Sequence, residues 1–509
     1  MKFFSLQAVL VTFFAALTAT GIISFFVITG PVRIIVIGAF ALAIVLYLSG
    51  NPRLLCLWGL VLSTPLNLGK DFMIVPHMGG ASSYSIDLID VFLVPLIYFI
   101  ARDFYRGHRH RIRISWVSSY WVVLILMGMV TMALGPFRNV AGHEIIRTIK
   151  YLILFWVIIN EVVRVRQFMH VVGALALGVA VESIIAIAQF ILKRPVGLEI
   201  LGEPTVETLK NVSLGTYLSA AGDTYRVGAL LGHPNLLAAY LALLLPILMV
   251  FLFTRIRLSH KVGIGIATGL GLIALVLTLS RAGWIGFAVA FAIMMTLSFV
   301  HPRFRKRYLM TRVVVIGLVA IMALSFSAQI LRRVTQSDVG ATSFRWEWMQ
   351  VSWSMIQDRP MVGFGLNSFT FNMPAYTRYG GPIAITQEFG ENWPVVHNIY
   401  LLTWVEQGTI GLLFFLGFHF HVIWIAMRNL KFFDSEILFN LSIGCISGFL
   451  AMMVDGLASF YIRNPCGRVF WVVAALIVAV HFWNRENRQI SNTPSTPAEE
   501  KHLKLASSG

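Results

Sequence analysis

The chain has 509 residues, of which 57% are hydrophobic and only 12% charged, with a mean hydropathy of +0.78. Soluble domains carry about 25% charged residues, so this composition excludes an ordinary soluble protein and specifies an integral membrane one. The net charge of +17 does not point to nucleic acid. Arg and Lys gather in short loops on alternate sides of the apolar runs: Arg102, Arg106, Arg109, Arg111 and Arg113; Arg255, Arg257 and Lys261; Arg303, Arg305, Lys306 and Arg307. That is the positive-inside pattern, which sends these loops, and both termini with them, to the cytoplasm beside anionic headgroups and membrane lipids.

Apolar runs of about 17 to 25 residues recur along the chain, each long enough to cross about 30 Å of hydrocarbon as a helix. They predict an all-α, polytopic fold with about fourteen transmembrane helices in one domain over residues 1–484, followed by a disordered cytoplasmic tail at 485–509. The first run, Ser5 to Ile28, reads as an uncleaved span. The spacing of Cys56, Cys445 and Cys466 fits neither a disulfide framework nor a metal site.

Spans one and two, to about Ser49, read as scaffold. Span three, near Leu54 to Leu68, leads to an external loop with Lys70, His77 and Gly79-Gly80, and Asp87 and Asp90 open span four as interfacial acids. Spans five to seven cover about Trp116 to Leu192. Glu182, inside span seven, is a functional candidate as an intramembrane acid, although pairing with an arginine of a neighbouring helix is the simpler expectation. The next external loop ends in the run from Asp223 to Asn235, where Pro234 suits the first turn of a helix and Arg226 stands just before membrane entry.

Spans nine and ten form a hairpin whose tip carries Arg281 as its only charge. A lone arginine at membrane depth costs about 2.5–3.5 kcal/mol, so it either snorkels to the interface or binds an anion. A large external loop over residues 331–397 begins at Arg332 and Arg333. Ser343 is expected to cap a helix there, with Glu347 in its first turn. Trp346, Met349, Trp353 and Ile356 give that helix a Trp-rich face suited to the headgroup boundary, while Arg345 lies on another face. Arg359-Pro360 stops it. Gly363 and Gly365 allow tight backbone turns, and His397 stands at the next membrane entry, on a common face with Leu401 and Trp404.

Three external arginines, Arg226, Arg281 and Arg345, and one external histidine, His397, therefore lie at separate membrane entries. Arginine forks suit phosphate, and histidine is the side chain most readily used as a base near neutral pH. A pyrophosphate held by arginines instead of a metal, beside a hydroxyl deprotonated by His397, is the chemistry this set allows. It requires Arg281, Arg345 and His397 to face one cavity.

The order of motifs resembles the O-antigen ligase and O-antigen polymerase superfamily. The motifs are Gly232-His233-Pro234-Asn235, Ser280 to Trp284, Arg345 with Met349, Pro360 with Gly363 and Gly365, His397-Asn398, and Glu406 with Gly408 and Gly411. They cover about residues 225–413. The resemblance implies a metal-independent glycosyltransferase of the bacterial inner membrane that uses no cofactor and has its active site at the periplasmic face. It implies a glycan donor on undecaprenyl diphosphate, and an acceptor hydroxyl on lipid A core, glycan or another molecule. It also implies that Arg226, Arg281 and Arg345 bind the diphosphate and that His397 is the catalytic base. Ligase and polymerase share the donor motifs, so both stay open, and a polytopic transporter of lipid-linked glycan remains a reading from another class.

Overall fold

The computed structural model describes residues 50–75, 77, 79–108, 111–204, 225–300, 339–377, 395–432, 434–463 and 465–492, with scattered positions between 313 and 331. The first two expected spans, Arg109, the basic loop from Arg303 to Arg307, Arg332 and Arg333, and the tail beyond 492 lie outside the described residues.

The described chain is helical. A short helix, α1 (Pro52–Ser63), leads to a two-stranded hairpin, β1 (Gly69–Phe72) and β2 (Tyr84–Asp87). Helices α2 (Leu88–Tyr105), α3 (Val117–Leu134), α4 (Arg138–Glu161) and α5 (Val165–Leu192) follow. After a gap come α6 (Pro234–Leu252), α7 (Leu258–Leu277) and α8 (Arg281–Val300), then α9 (Val339–Asp358) and the single turn α10 (Phe369–Asn372). The chain closes with α11 (Ile399–Asn429), α12 (Glu436–Asp455) and α13 (Pro465–Asn492). Among the described residues, eight helices are long and apolar enough to cross a membrane. The expected number of fourteen includes segments outside the described residues. The antiparallel hairpin, pairing Gly69 with Asp87, is an addition to the all-α expectation.

The most enclosed spans are α6, α12 and α13. In lipid, helices gain little from hydrophobic burial against each other and rely on close packing through small residues. Gly444 and Gly448, four apart on α12, supply that surface: a Cβ at Gly448 would lie 2.0 Å from the Leu243 carbonyl of α6. Gly448→Val is expected to destabilise the protein by about 1–3 kcal/mol through overpacking. Thermal unfolding in detergent reads this out, and an unchanged midpoint would contradict the close approach.

Connections alternate between the two ends of the bundle. One end collects the described residues of the connections at 64–75, 79–87, 135–138, 193–204, 225–233, 278–280, 395–398 and 456–463. The opposite end collects Arg53, Arg102, Arg106, Arg111, Arg113, Arg164, Arg255, Arg257, Arg428 and Lys431. The expected sites and the basic loops therefore separate to opposite ends.

Two sequence expectations are corrected. Glu182 accepts the backbone N–H of Leu230 (3.0 Å) in place of an arginine. A turn of loop folded back against α5 offers backbone donors at the depth of this acid, which periodicity could not reveal. Helix α9 starts at Val339, four residues before Ser343, so Ser343 is inside the helix and Glu347 is not in its first turn.

Candidate active site

Arg226 is brought in by a clamp on the far side of its own loop. Gln189 of α5 accepts the backbone N–H of Ala229 (2.9 Å), and Glu182, seven residues earlier on the same helix face, takes Leu230. The turn so fixed delivers the chain to His233, the N-cap of α6, whose Nδ1 accepts the N–H of Asn235 (3.1 Å). Pro234 stands in the first turn as expected. Arg226 itself is buried, with Nε donating to the Thr278 carbonyl (3.1 Å) and Nη2 to the Asn235 side chain (2.9 Å).

Thr278 opens the tip of the α7–α8 hairpin, where Leu279 adopts a left-handed φ of 51° and Arg281 begins α8. Arg281 is thus set three residues beyond the carbonyl that Arg226 holds, half-buried at the same end of the bundle.

His397 lies just ahead of α11 and is half-buried. Asn398 caps the helix, accepting from the N–H groups of Tyr400 and Leu401 (both 3.0 Å). The Ile399 N–H reaches the carbonyls of Gly456 and Ser459 (both 3.0 Å), tying the helix start to the end of α12. Phe460 packs edge-on against the His397 ring at 5.4 Å. Nδ1 of His397 is 2.9 Å from the Val395 carbonyl, which only accepts, so this nitrogen carries the hydrogen and Nε2 keeps its lone pair.

Charge coupling links these elements. Burial first, and then the positive charge of Arg345, push His397 down to about 4 against the opposing bond to Val395. Burial likewise pushes His233 down to about 3, reinforced by Arg226, His397 and Arg345. Arg345 is also within electrostatic reach of Asp455 at the end of α12. Arg226, Arg345 and His397 are thus each within electrostatic reach of His233, and Arg281 follows three residues after Thr278, whose carbonyl Arg226 holds. His233 and Asp455 were not singled out from sequence. The signal for His233 was present in the Gly-His-Pro-Asn run, where helix entry already gave it a sufficient role.

The tryptophan stripe of α9 is divided. Trp346 and Trp353 are exposed, with Trp353 edge-on to Trp404 at 5.8 Å, whereas Trp348, Ser352 and Met355 form the buried face. Arg345, in the second turn, is exposed.

A backbone joint holds α9 in place. Helix α11 breaks at Gly408, with φ 65° and ψ −172°, and the freed groups are taken up by the segment after α9. Phe364 N–H donates to the Val405 carbonyl (3.0 Å), Gly365 N–H to Glu406 (2.8 Å), and Thr409 N–H to the Pro360 carbonyl (2.7 Å). Such exchange is what allows an interrupted helix at membrane depth. A Cβ on Gly408 would lie 2.2 Å from the Met361 backbone, and one on Gly363 would lie 2.5 Å from the Val405 carbonyl.

Residues 266–416 match the family model described as O-antigen ligase. This stretch is an O-antigen ligase domain of the O-antigen ligase and polymerase superfamily. A comparison with curated proteins finds no match. The O-antigen ligase domain contains Arg281, Arg345, His397 and the Gly408 joint, while Arg226 and His233 come from the chain just before it.

Proposed function

We propose that the protein transfers a glycan from undecaprenyl diphosphate to an acceptor hydroxyl. The reading rests on one observation: within and beside an O-antigen ligase domain, the half-buried imidazoles of His233 and His397 share a positive electrostatic field with Arg226 from a loop and Arg345 from α9. Residues 225–413 would form the catalytic region, with 331–397 as its large periplasmic loop. The basic loops at the opposite end favour a bacterial inner-membrane orientation with that end and both termini cytoplasmic.

In this mechanism Arg226, Arg281 and Arg345 bind the diphosphate. Nε2 of His397 takes the acceptor proton as the acceptor oxygen bonds to the anomeric carbon. The anomeric C–O bond to the diphosphate breaks with its electron pair, inverting the centre and releasing undecaprenyl diphosphate. Charge grows on that leaving group in the transition state, where preorganised guanidinium donors act most strongly in a water-poor site. Neither a metal nor a cofactor is needed for these steps. Ligation of lipopolysaccharide or exopolysaccharide type is preferred over polymerisation of repeat units, although the same donor chemistry serves both.

Arg345→Ala, in folded and membrane-inserted protein, is expected to slow undecaprenyl diphosphate release by about 10²–10³-fold, the scale for losing one preorganised transition-state donor. Release at the parental rate would remove Arg345 from the site. The acid limb supplies a separate check. His397 must be unprotonated to act, and its lowered pKa of about 4 keeps it so where an ordinary histidine would be charged. The kcat/KM profile, which reports the free enzyme, is therefore expected to stay flat from pH 8 down to about 5.5. A half-loss near about 6.5, the ordinary histidine value, would contradict the assignment.

A further inference from the structure

A second cavity of about 280 Å³ opens at the same end of the bundle, between the β1–β2 hairpin, the start of α4 and the start of α13. Small-molecule sites begin at about 300 Å³, so the space suits one ring-sized ligand. Its wall contains four cations, each already matched. Lys150 bonds Asp87 (2.8 Å) and Asp90 (2.6 Å), Arg468 faces Asp87 (3.3 Å), Arg147 bonds Glu144, and Arg463 bonds Glu406 and faces Glu144 (3.8 Å). These four carboxylates, with Asp71 of the wall as a fifth, outnumber the four cations, so the wall has no net attraction for an anion. It is instead a dense, rigid array of donors and acceptors, which suits a neutral ligand rich in hydroxyl groups.

His143 adds an independent observation. It lines this cavity at 1% exposure, with the Tyr84 ring standing edge-on at 4.4 Å. Apart from an approach by the Ala81 backbone, neither ring nitrogen has a hydrogen-bond partner among the described residues. An imidazole buried against a polar cavity offers one donor and one acceptor, the pair that adjacent sugar hydroxyls satisfy. The cavity is also close to the base along the chain. Arg463 in its wall is three residues from Phe460, which packs on His397.

We propose that this cavity is a subsite for one neutral sugar residue of the glycans brought together at His397. The inference builds on the transferase reading. The sugar comes either from the donor's repeat unit or from the acceptor, and the test separates them.

Ile146, 43% exposed in the cavity wall, can be enlarged as Ile146→Trp without touching the ion pairs, and His143→Phe removes the ring nitrogens while keeping a ring beside Tyr84. The purified full-length protein would be titrated with delipidated repeat-unit oligosaccharide and with acceptor core oligosaccharide, and KM for each substrate measured in the transfer assay. Binding of one oligosaccharide is expected to weaken by about tenfold or more in both variants, equivalent to about 1.4 kcal/mol. KM for that substrate alone should rise, with kcat held within about twofold at saturation. The substrate affected names the source. Parental affinity and KM in both folded variants would overturn the subsite, as would competition by inorganic pyrophosphate for the oligosaccharide. A parent protein that binds the oligosaccharide in a variant-sensitive way but transfers nothing would sink the transferase reading and leave the subsite standing.

Discussion

Replacing His397 by alanine is expected to reduce glycan transfer by about 10²–10⁴-fold, the usual contribution of a positioned general base. The fold should survive, because the helix that follows is capped by Asn398 and anchored by the Ile399 N–H, neither of which uses the imidazole. The donor should still bind, since the arginines are untouched. The loss therefore belongs in kcat, with KM for the lipid-linked glycan little changed, and single-turnover release of undecaprenyl diphosphate measures it directly. A variant that keeps parental kcat would deprive Nε2 of its role. The direction of the ring supports the expectation: Val395 occupies Nδ1, leaving Nε2 as the nitrogen able to accept a proton.

Glu406→Gln should have the largest effect on stability. Its carboxylate is buried at 1% exposure, accepts the backbone N–H groups of Asn367 (2.8 Å) and Phe369 (3.3 Å), and bonds the guanidinium of Arg463, which is also buried. Arg463 in turn donates to the Gly79 carbonyl (3.1 Å), and its own carbonyl accepts from Arg147 (2.8 Å). Removing one partner of a buried ion pair leaves an uncompensated charge and costs about 3–5 kcal/mol. Because the same residue sits at the Gly408 break, the segment that carries α9 should loosen with it. Combining Glu406→Gln with Arg463→Met should recover part of the loss, since the stranded charge is then gone. Unfolding in detergent followed by tryptophan fluorescence checks both, and parental stability in the single variant would contradict the network.

These two residues differ in how far sequence could reach them. His397 could be proposed from sequence because it stands at a membrane entry in company with arginines at other entries. Helix limits set by proline were legible too: Pro234 in a first turn and Pro360 after a last one both act through their own backbone geometry. Asp87 and Asp90 opened a helix as expected, forming a capping box whose acids meet Lys150 and Arg468. What stayed hidden depends on distant chain. Glu406 was only a motif position until residues 360–369 and 463 were folded around it. His233 had a complete local explanation as an N-cap, so nothing in sequence asked for its electrostatic coupling to Arg226, Arg345 and His397. The early start of α9 escaped because Ser343 is a good cap by type, and residues 339–342 give no competing signal strong enough to displace it. Periodicity was a weak guide for the spans themselves. Helices apolar on every side leave little contrast between faces, so the choice of partner fell to small residues such as Gly448, whose significance appears only against Leu243 of α6.

The central claim is transfer, and product analysis in proteoliposomes tests it most directly. The full-length protein would be supplied with an undecaprenyl-diphosphate-linked glycan labelled in the sugar, together with lipid A core and free repeat unit as competing acceptors. The account predicts acceptor carrying the labelled glycan and undecaprenyl diphosphate released in equal amount, both lost in His397→Ala. Labelled lipid-linked glycan carried intact to the other face of the bilayer, with no new glycosidic product, would contradict it.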